Sequence, residues 1–381
     1  MWVKRWSACF ERAVNYVPSG DTSAAITLIR PLLIFFMMLA HLFILDSEGV
    51  LNRALPLTLD NWLTVFLKSI LSKSGVPLLS LISGYLAVYS LRNYGYFRLL
   101  LNKARRLLWP LVWANLLFIL LITWPTQAAN PAERPDLAIH PFNLYGWFQA
   151  TFAFYKLPAN QPLFFLKDLF TCFLLLPLLL AAARVRYLNF LVLVWMAYKC
   201  IYLKSVFILP VYPTWFFRFD IVFAFYTGML LFLHGKSLVI ASRKLNFALV
   251  GGFAAVCCAV GAIYVLLSKA EHNVLFLWLD FTVKVVSVFG SIALMSLLHA
   301  NPGPFSRLLR YLSPYAYSMF LTHAFSFTFY HRLFLRHFGQ PDFFGWSGSL
   351  YIVGIFAVAI ALAVGLRMAW GRLSTRVSSW A

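Results

Sequence analysis

Charge is the scarcest ingredient of this chain. Asp, Glu, Lys and Arg make up 12% of its 381 residues, where a soluble domain carries about a quarter. With 62% hydrophobic residues and a mean hydropathy of +0.78, too little polar material remains to coat a water-soluble surface. Acidic residues are scarcer still, 12 against 32 Lys and Arg, a net charge of +20. In a soluble protein that excess would suggest nucleic acid. In a membrane protein, cations gather on the cytoplasmic side, set orientation and meet anionic lipid, so no nucleic-acid partner is needed to explain them. Cysteine is sparse as well: Cys9, Cys172, Cys200, Cys257 and Cys258 are odd in number. With no CxxC pair and no Cys/His cluster at zinc-ligand spacing, they imply neither a disulfide framework nor a metal site.

What the chain does have is apolar runs of about 20 residues, the length that crosses a ~30 Å hydrocarbon core. They fall at 26–45, 74–91, 107–125, 163–183, 187–204, 213–234, 246–267, 275–298, 314–334 and 348–369. The expectation is an all-α polytopic membrane protein, a bundle of about ten transmembrane helices enclosing a polar chamber. With the N-terminus inside, 18 loop cations face the cytoplasm and 9 face out, so both termini are expected in the cytoplasm.

The chain then divides into an arm at 1–22, a ten-helix domain at 23–370 and a cytoplasmic tail at 371–381. The arm sets Trp2, Trp6, Phe10, Ala13 and Val17 along one side, as an interfacial helix does. The first span is too long for a signal peptide and is expected to remain in the mature protein. The longest connection, 126–162, is expected outside and holds an aromatic segment between prolines. No internal repeat or low-complexity tract interrupts the pattern.

Charges inside the spans carry the functional signal, because each costs several kcal/mol in hydrocarbon unless it faces protein or water. They are Arg30, Lys167, Lys199, Arg218, Lys284, Asp168, Asp220 and Asp280. Lys199 is the weakest candidate, since it can snorkel to the outer edge. On the expected orientation Lys167, Asp168, Arg218, Asp220, Asp280 and Lys284 fall in the outer half, as does His41, and His323 is about midway along the ninth span. Adjacent residues, or residues two apart, do not face each other on a helix, so these charges are expected to find partners on other helices. Interhelix pairing for structure alone is the bland alternative.

Arg30 and His41 are eleven positions apart, three turns and some 20° more, so one helix presents both on one face about 16 Å apart. This arrangement in a first transmembrane helix resembles the signature of the acyltransferase-3 family of membrane O-acyltransferases. VPLLSLISGYLAVY resembles that family's small-residue second helix, and KARRLLWPLVWAN the basic stretch and proline opening its third. LSPYAYSMFLTHAF resembles its penultimate helix, and QPLFFLKDLF is a looser match to its Trp-Phe-Leu segment. Pro31 stands where a small residue is usual, and Met319 with Phe320 near an expected Tyr.

The resemblance covers nearly the whole chain and implies acyl transfer from a cytoplasmic acyl-CoA to a hydroxyl of a cell-surface or exopolysaccharide glycan. The implied setting is the bacterial inner membrane. The donor is a substrate, and no cofactor is bound permanently. Glycan or lipid-linked saccharide, membrane lipid and other polysaccharide-assembly proteins are the implied partners. Arg30, Lys103, Arg105 and Arg106 are then candidates for the phosphates of the donor. His41 is the candidate general base. His323 is a candidate to orient it, to hold the thioester carbonyl or to satisfy a core hydrogen bond. Asp168, Asp220 and Asp280 are candidates for sugar hydroxyls or for orienting an imidazole. Lys167, Arg218 and Lys284 are candidates for a developing oxyanion or an anionic group. A transporter or flippase for a lipid-linked glycan is the competing class, since intramembrane charges around a cavity also describe transporters.

Overall fold

The structure, a computed structural model, describes residues 17–41, 71–130, 139–153, 158–202, 206–207, 216–266, 274–339 and 346–378. The expected arm at 1–16, the last tail residues 379–381 and the loop cations Arg53, Lys68, Arg134, Lys156, Lys204 and Lys269 lie outside the described residues.

Each apolar run coincides with a helix. In chain order these are α1 (Gly20–Leu39), α2 (Gly75–Tyr94, entered through a 3-10 turn at Leu71–Ser74) and α3 (Tyr96–Ala129). A short α4 (Leu144–Phe152) precedes α5 (Phe164–Leu174), α6 (Leu176–Arg184) and α7 (Arg186–Tyr202). After them come α8 (Phe219–Leu233), α9 (Arg243–Leu266), α10 (Val274–Ala300), α11 (Pro304–Leu312), α12 (Ala316–Phe338) and α13 (Trp346–Ser378). Among the described residues six spans are long and apolar enough to cross a membrane, within α1, α2, α3, α9, α10 and α13, and the bent pair α5 and α6 makes up to 7. The chain is therefore a multi-pass helical membrane protein. The other three runs are the short α7 and α8, of 17 and 15 residues, and α12, whose three histidines and two arginines dilute its apolar character.

Two expected spans need correction. The fourth is broken, bending by 53° between α5 and α6. Pro177 is near the start of α6, where it lacks the N–H that would bond Phe173 one turn back. The sixth begins at Phe219 instead of 213, because Phe216–Phe217 pairs antiparallel with Val206–Phe207 and Arg218 is extended at φ −97°, ψ 125°.

The described residues fall into two compact units, one drawn from Leu79–Leu238 and the other from Ser19–Leu78 with Val239–Ala381. In the first, α2 and α8 touch backbone to backbone. Gly84 rests on Phe225 and Gly228 on Leu81, so closely that a methyl at either would overlap the facing backbone. Small residues allow this approach, which is how helices gain dispersion contact where no hydrophobic drive separates them from lipid. Within α3, two π-helical turns, Ala104–Leu108 and Ile119–Thr123, each precede a Trp-Pro pair, Trp109-Pro110 and Trp124-Pro125. The widened turn makes room where the proline ring would strike a carbonyl of the turn before it.

In the second unit α1 starts on a Ser19 cap, whose hydroxyl accepts from the Thr22 N–H at 3.2 Å, with Asp21 in the favourable first turn. Pro31 is inside the helix and cannot donate to the carbonyl of Thr27. The Ser313 hydroxyl donates to that carbonyl instead, at 2.8 Å, from the 3-10 turn Ser313–Tyr315 that leads into α12. The turn thus satisfies a backbone group that lipid would not. Ser313→Ala is expected to cost about 0.5–1.5 kcal/mol, the net worth of one hydrogen bond at the surface of the fold. Adding Pro31→Ala restores an N–H at the right place, so the double variant should recover part of the loss in detergent thermal unfolding. Losses that simply add would show that Ser313 does not serve this carbonyl.

Candidate active site

The C-terminal end of α1 meets α12 inside the second unit. The helix proper ends at Leu39, and the His41 N–H closes a tighter turn onto Met38 at 2.9 Å. His41 is half-buried, and its ring lies 5.5 Å, centroid to centroid, from that of His323, tilted by 42°. His323 is fully buried between the rings of Phe320 and Phe327, at 5.8 and 6.0 Å. Its Nδ1 lies 2.6 Å from the Phe320 carbonyl oxygen. A carbonyl only accepts, so Nδ1 carries the proton and Nε2 of the neutral ring keeps a lone pair. That Nε2 is buried with no hydrogen-bond partner among the described residues. Two imidazoles therefore converge, one with its tautomer fixed and an acceptor to spare.

Arg30 is on the same helix, three turns below, exposed on a stripe with Ser23 and Thr27. It makes no hydrogen bond or ion pair with any described residue. Beside the upper part of α1, Gly75 packs so tightly that an added methyl would meet the Leu33 carbonyl at 2.7 Å and the Met37 N at 3.0 Å. Met37 is one turn below His41, so this contact fixes the turn Leu71–Ser74 along the end of α1 that carries the histidine. From that turn Lys73 pairs with Asp280 of α10, whose other oxygen meets Lys284, one turn along the same helix, at 3.1 Å. Asp280 is buried, while Lys73 and Lys284 keep 25% and 13% of their side chains accessible.

The first unit gathers the other charges. Lys167, 2% exposed, donates to the carbonyl of Ala153 at 3.0 Å and pairs with Asp168 at 3.3 Å. Ala153 has the left-handed φ of 57° that ends α4. Asp168 is wholly buried and accepts the Arg218 N–H at 3.2 Å. The Arg218 guanidinium grips Asp220 through Nε at 3.2 Å and Nη2 at 2.6 Å, and lies over the Phe164 ring at 4.9 Å. Contrary to expectation, neighbours in sequence do pair here. Arg218 is outside the helix in extended conformation, so helical spacing does not govern its reach to Asp220, and the long Lys167 stem bends to its own neighbour. Asn115 adds a polar bridge that charge counting overlooks, donating to the Thr151 carbonyl at 2.8 Å and accepting the Asn160 N–H at 3.0 Å.

Of the cations expected to meet the donor, Arg105 and Arg106 are exposed in the first π-helical turn of α3, and Lys103 holds its ammonium over Phe173 at 4.5 Å. The charges expected to share one layer form two clusters, one in each unit. Lys73 is the cluster member that the sequence reading left among loop cations. Its position one residue before the second span was the available signal.

The described residues thus bring two imidazoles together in the second unit and pair buried carboxylates with cations in each unit. Residues 23–368 match the family model described as the acyltransferase domain, acyltransferase-3, and the chain belongs to that family. It is 33% identical over 284 residues to the succinoglycan biosynthesis protein ExoH of Rhizobium meliloti (strain 1021), covering 72% of this chain and 70% of that protein. No solved structure matches it significantly.

The buried pair in the first unit yields a direct test. Asp168→Asn leaves the Lys167 ammonium without its carboxylate and is expected to cost roughly 3–5 kcal/mol. Lys167→Met together with Asp168→Asn removes both charges and should recover most of that loss in detergent thermal unfolding. Equal damage from single and double variants would mean that the two charges do not depend on each other.

Proposed function

We propose that this acyltransferase moves an acyl group of the acetyl or succinyl class from cytoplasmic acyl-CoA to a hydroxyl of a cell-surface or exopolysaccharide glycan, with His41 as general base. The observation that carries the reading is the meeting of His41 and His323 rings at 5.5 Å in a chain of this family. The biosynthetic role printed for the Rhizobium relative supports a glycan as acceptor. In the proposed reaction the acceptor oxygen attacks the thioester carbonyl carbon while His41 takes its proton. The carbon–sulfur bond then breaks, and the departing thiolate receives that proton to leave as a thiol. His323, its tautomer set by the Phe320 carbonyl, offers Nε2 to the His41 N–H or to the substrate hydroxyl.

In this reading all ten helices cross the bacterial inner membrane, both termini are cytoplasmic, and the bundle encloses a polar chamber. Arg30 in the second unit and, separately, Lys103, Arg105 and Arg106 in the first are the candidates for the phosphates of a donor that approaches from below. For an acceptor that approaches from above, the candidates are Lys167, Asp168, Arg218 and Asp220 in the first unit and Asp280 and Lys284 in the second.

Purified protein given acyl-CoA and a glycan acceptor is expected to release free thiol and form an O-acyl ester, and His41→Ala to lower that rate by about 10²-fold while remaining folded. Near-normal turnover would remove His41 from the mechanism. A transporter would release no thiol.

Orientation is tested separately. Single cysteines at Ala138 and Ser237 in a cysteine-free background are expected to react and to be protected, respectively, when intact cells meet a membrane-impermeant thiol reagent. The opposite labelling would place Arg30 at the outer face and sever it from the donor.

A further inference from the structure

The short helix α11 of the second unit presents a surface that the proposed reaction does not use. The membrane-spanning part of α10 ends at Ala300, α11 begins at Pro304, and α12 starts at Ala316. Nine residues of helix rise about 14 Å, under half of a ~30 Å hydrocarbon core, so α11 is too short to be a span. It is tied to the end of one instead, for the Ser306 hydroxyl donates to the Leu298 carbonyl at 2.9 Å. α13 returns to the same corner. Its span ends at Met368, and the Arg367 guanidinium donates to the Pro314 carbonyl and lies 5.1 Å over the Tyr315 ring. Two spans therefore end beside α11, which places it at a membrane boundary.

Three faces of α11 differ in chemistry. Ser306, Leu309 and Leu312 are buried, and the helix packs on α1. At about 100° per residue, Arg307 and Arg310 fall on one flank, Phe305 and Leu308 on the other, and Tyr311 between them. All five are exposed. An apolar flank beside a basic one is the pattern of a helix lying in the interface, with its apolar side chains toward acyl chains and its cations at headgroup level. Arg367, also exposed, brings a third guanidinium to Pro314, one turn beyond Arg310. We infer that Arg307, Arg310 and Arg367 form a site for the phosphate of an anionic phospholipid, whose acyl chains lie against Leu308 and Phe305. A zwitterionic headgroup carries its own cation, which opposes three guanidiniums, whereas phosphatidylglycerol carries none. The apolar flank selects a phosphate that bears a hydrocarbon tail over a soluble one. Ser313 of the same corner donates to the Thr27 carbonyl, so a lipid seated here braces the turn to which α1 is tied. The site does not depend on the proposed acyl transfer.

The test titrates the full-length protein in detergent with phosphatidylglycerol and phosphatidylcholine of the same acyl chains and counts bound lipid by native mass spectrometry. Wild type is expected to bind phosphatidylglycerol at least about tenfold more tightly, since each cation near a lipid surface contributes roughly a factor of five. Arg307→Gln together with Arg310→Gln should weaken that binding about 30-fold, and Arg307→Lys with Arg310→Lys should keep it. All four substitutions fall on exposed side chains, which protects the fold. Leu308→Asn should weaken phosphatidylglycerol severalfold with its charge contacts intact. Inorganic phosphate or ATP at about tenfold excess over the lipid should leave it bound. Displacement by either would make this a site for a soluble phosphate and overturn the lipid. Equal affinity of wild type for the two lipids, or a preference that survives the double glutamine variant, would overturn the site.

Discussion

The structure depends on one constraint: a charge or a bare backbone group inside hydrocarbon must find its partner within the protein. Nearly every intramembrane charge obeys it. Lys167 and Asp168 answer each other, Arg218 answers Asp220 through two bonds and lends its N–H to Asp168, and Asp280 takes two lysines. Lys199 settles its ammonium 5.9 Å over the Trp195 ring. Arg30 departs from the pattern, since it is exposed and makes no hydrogen bond or ion pair with a described residue. Removing a buried balanced pair together is often close to neutral for stability, whereas breaking it is not, so the pairs of the first unit serve to fix geometry.

The same constraint explains the prolines. Four of them delete a donor that water cannot replace, and three kinds of accommodation answer the loss. Pro31 is compensated by the Ser313 hydroxyl on Thr27, Pro110 and Pro125 by a widened π-helical turn, and Pro177 by a break of 53°. The first solution ties α1 to the turn preceding α12, the two elements that bring the histidines together. A sequence feature that looks hostile to the helix thus becomes the point at which the elements carrying the two histidines are registered.

Much of this was legible in the residues. Each apolar run coincides with helix because length and composition determine what lipid accepts. Among the described residues six of these helices, or seven with the bent pair, are long and apolar enough to cross a membrane. The spacing of Arg30 and His41 located one half of the candidate site. The broken fourth span was not read, although Pro177 stands in it, because hydropathy averages over a single residue. Arg218 and Asp220 were assigned to a helix, and the reading that they could not face each other followed from that. The extended conformation at Arg218 comes from the β pairing of Phe216–Phe217 with a segment nine or more residues earlier, which no local pattern signals. Lys73 escaped because a cation at the margin of a span looks like an orientation signal until its partner, 207 residues away, is known.

In the proposed reaction, burial divides labour between the two histidines. His323 is enclosed by phenylalanines and held by its own helix backbone, so its ring cannot rotate to exchange nitrogens without losing the bond to Phe320. Its Nε2 lone pair is an acceptor with a fixed direction, and leaving such an atom unsatisfied costs about 1–3 kcal/mol. His41, half-buried just beyond the last turn of α1, has the accessibility that a proton carrier needs. In the proposed reaction the charge that forms on His41 as it takes the hydroxyl proton is stabilised by an N–H donated to that waiting lone pair. The cost carried by His323 in the resting protein is thereby recovered in the transition state, where it raises the rate instead of merely tightening the substrate complex.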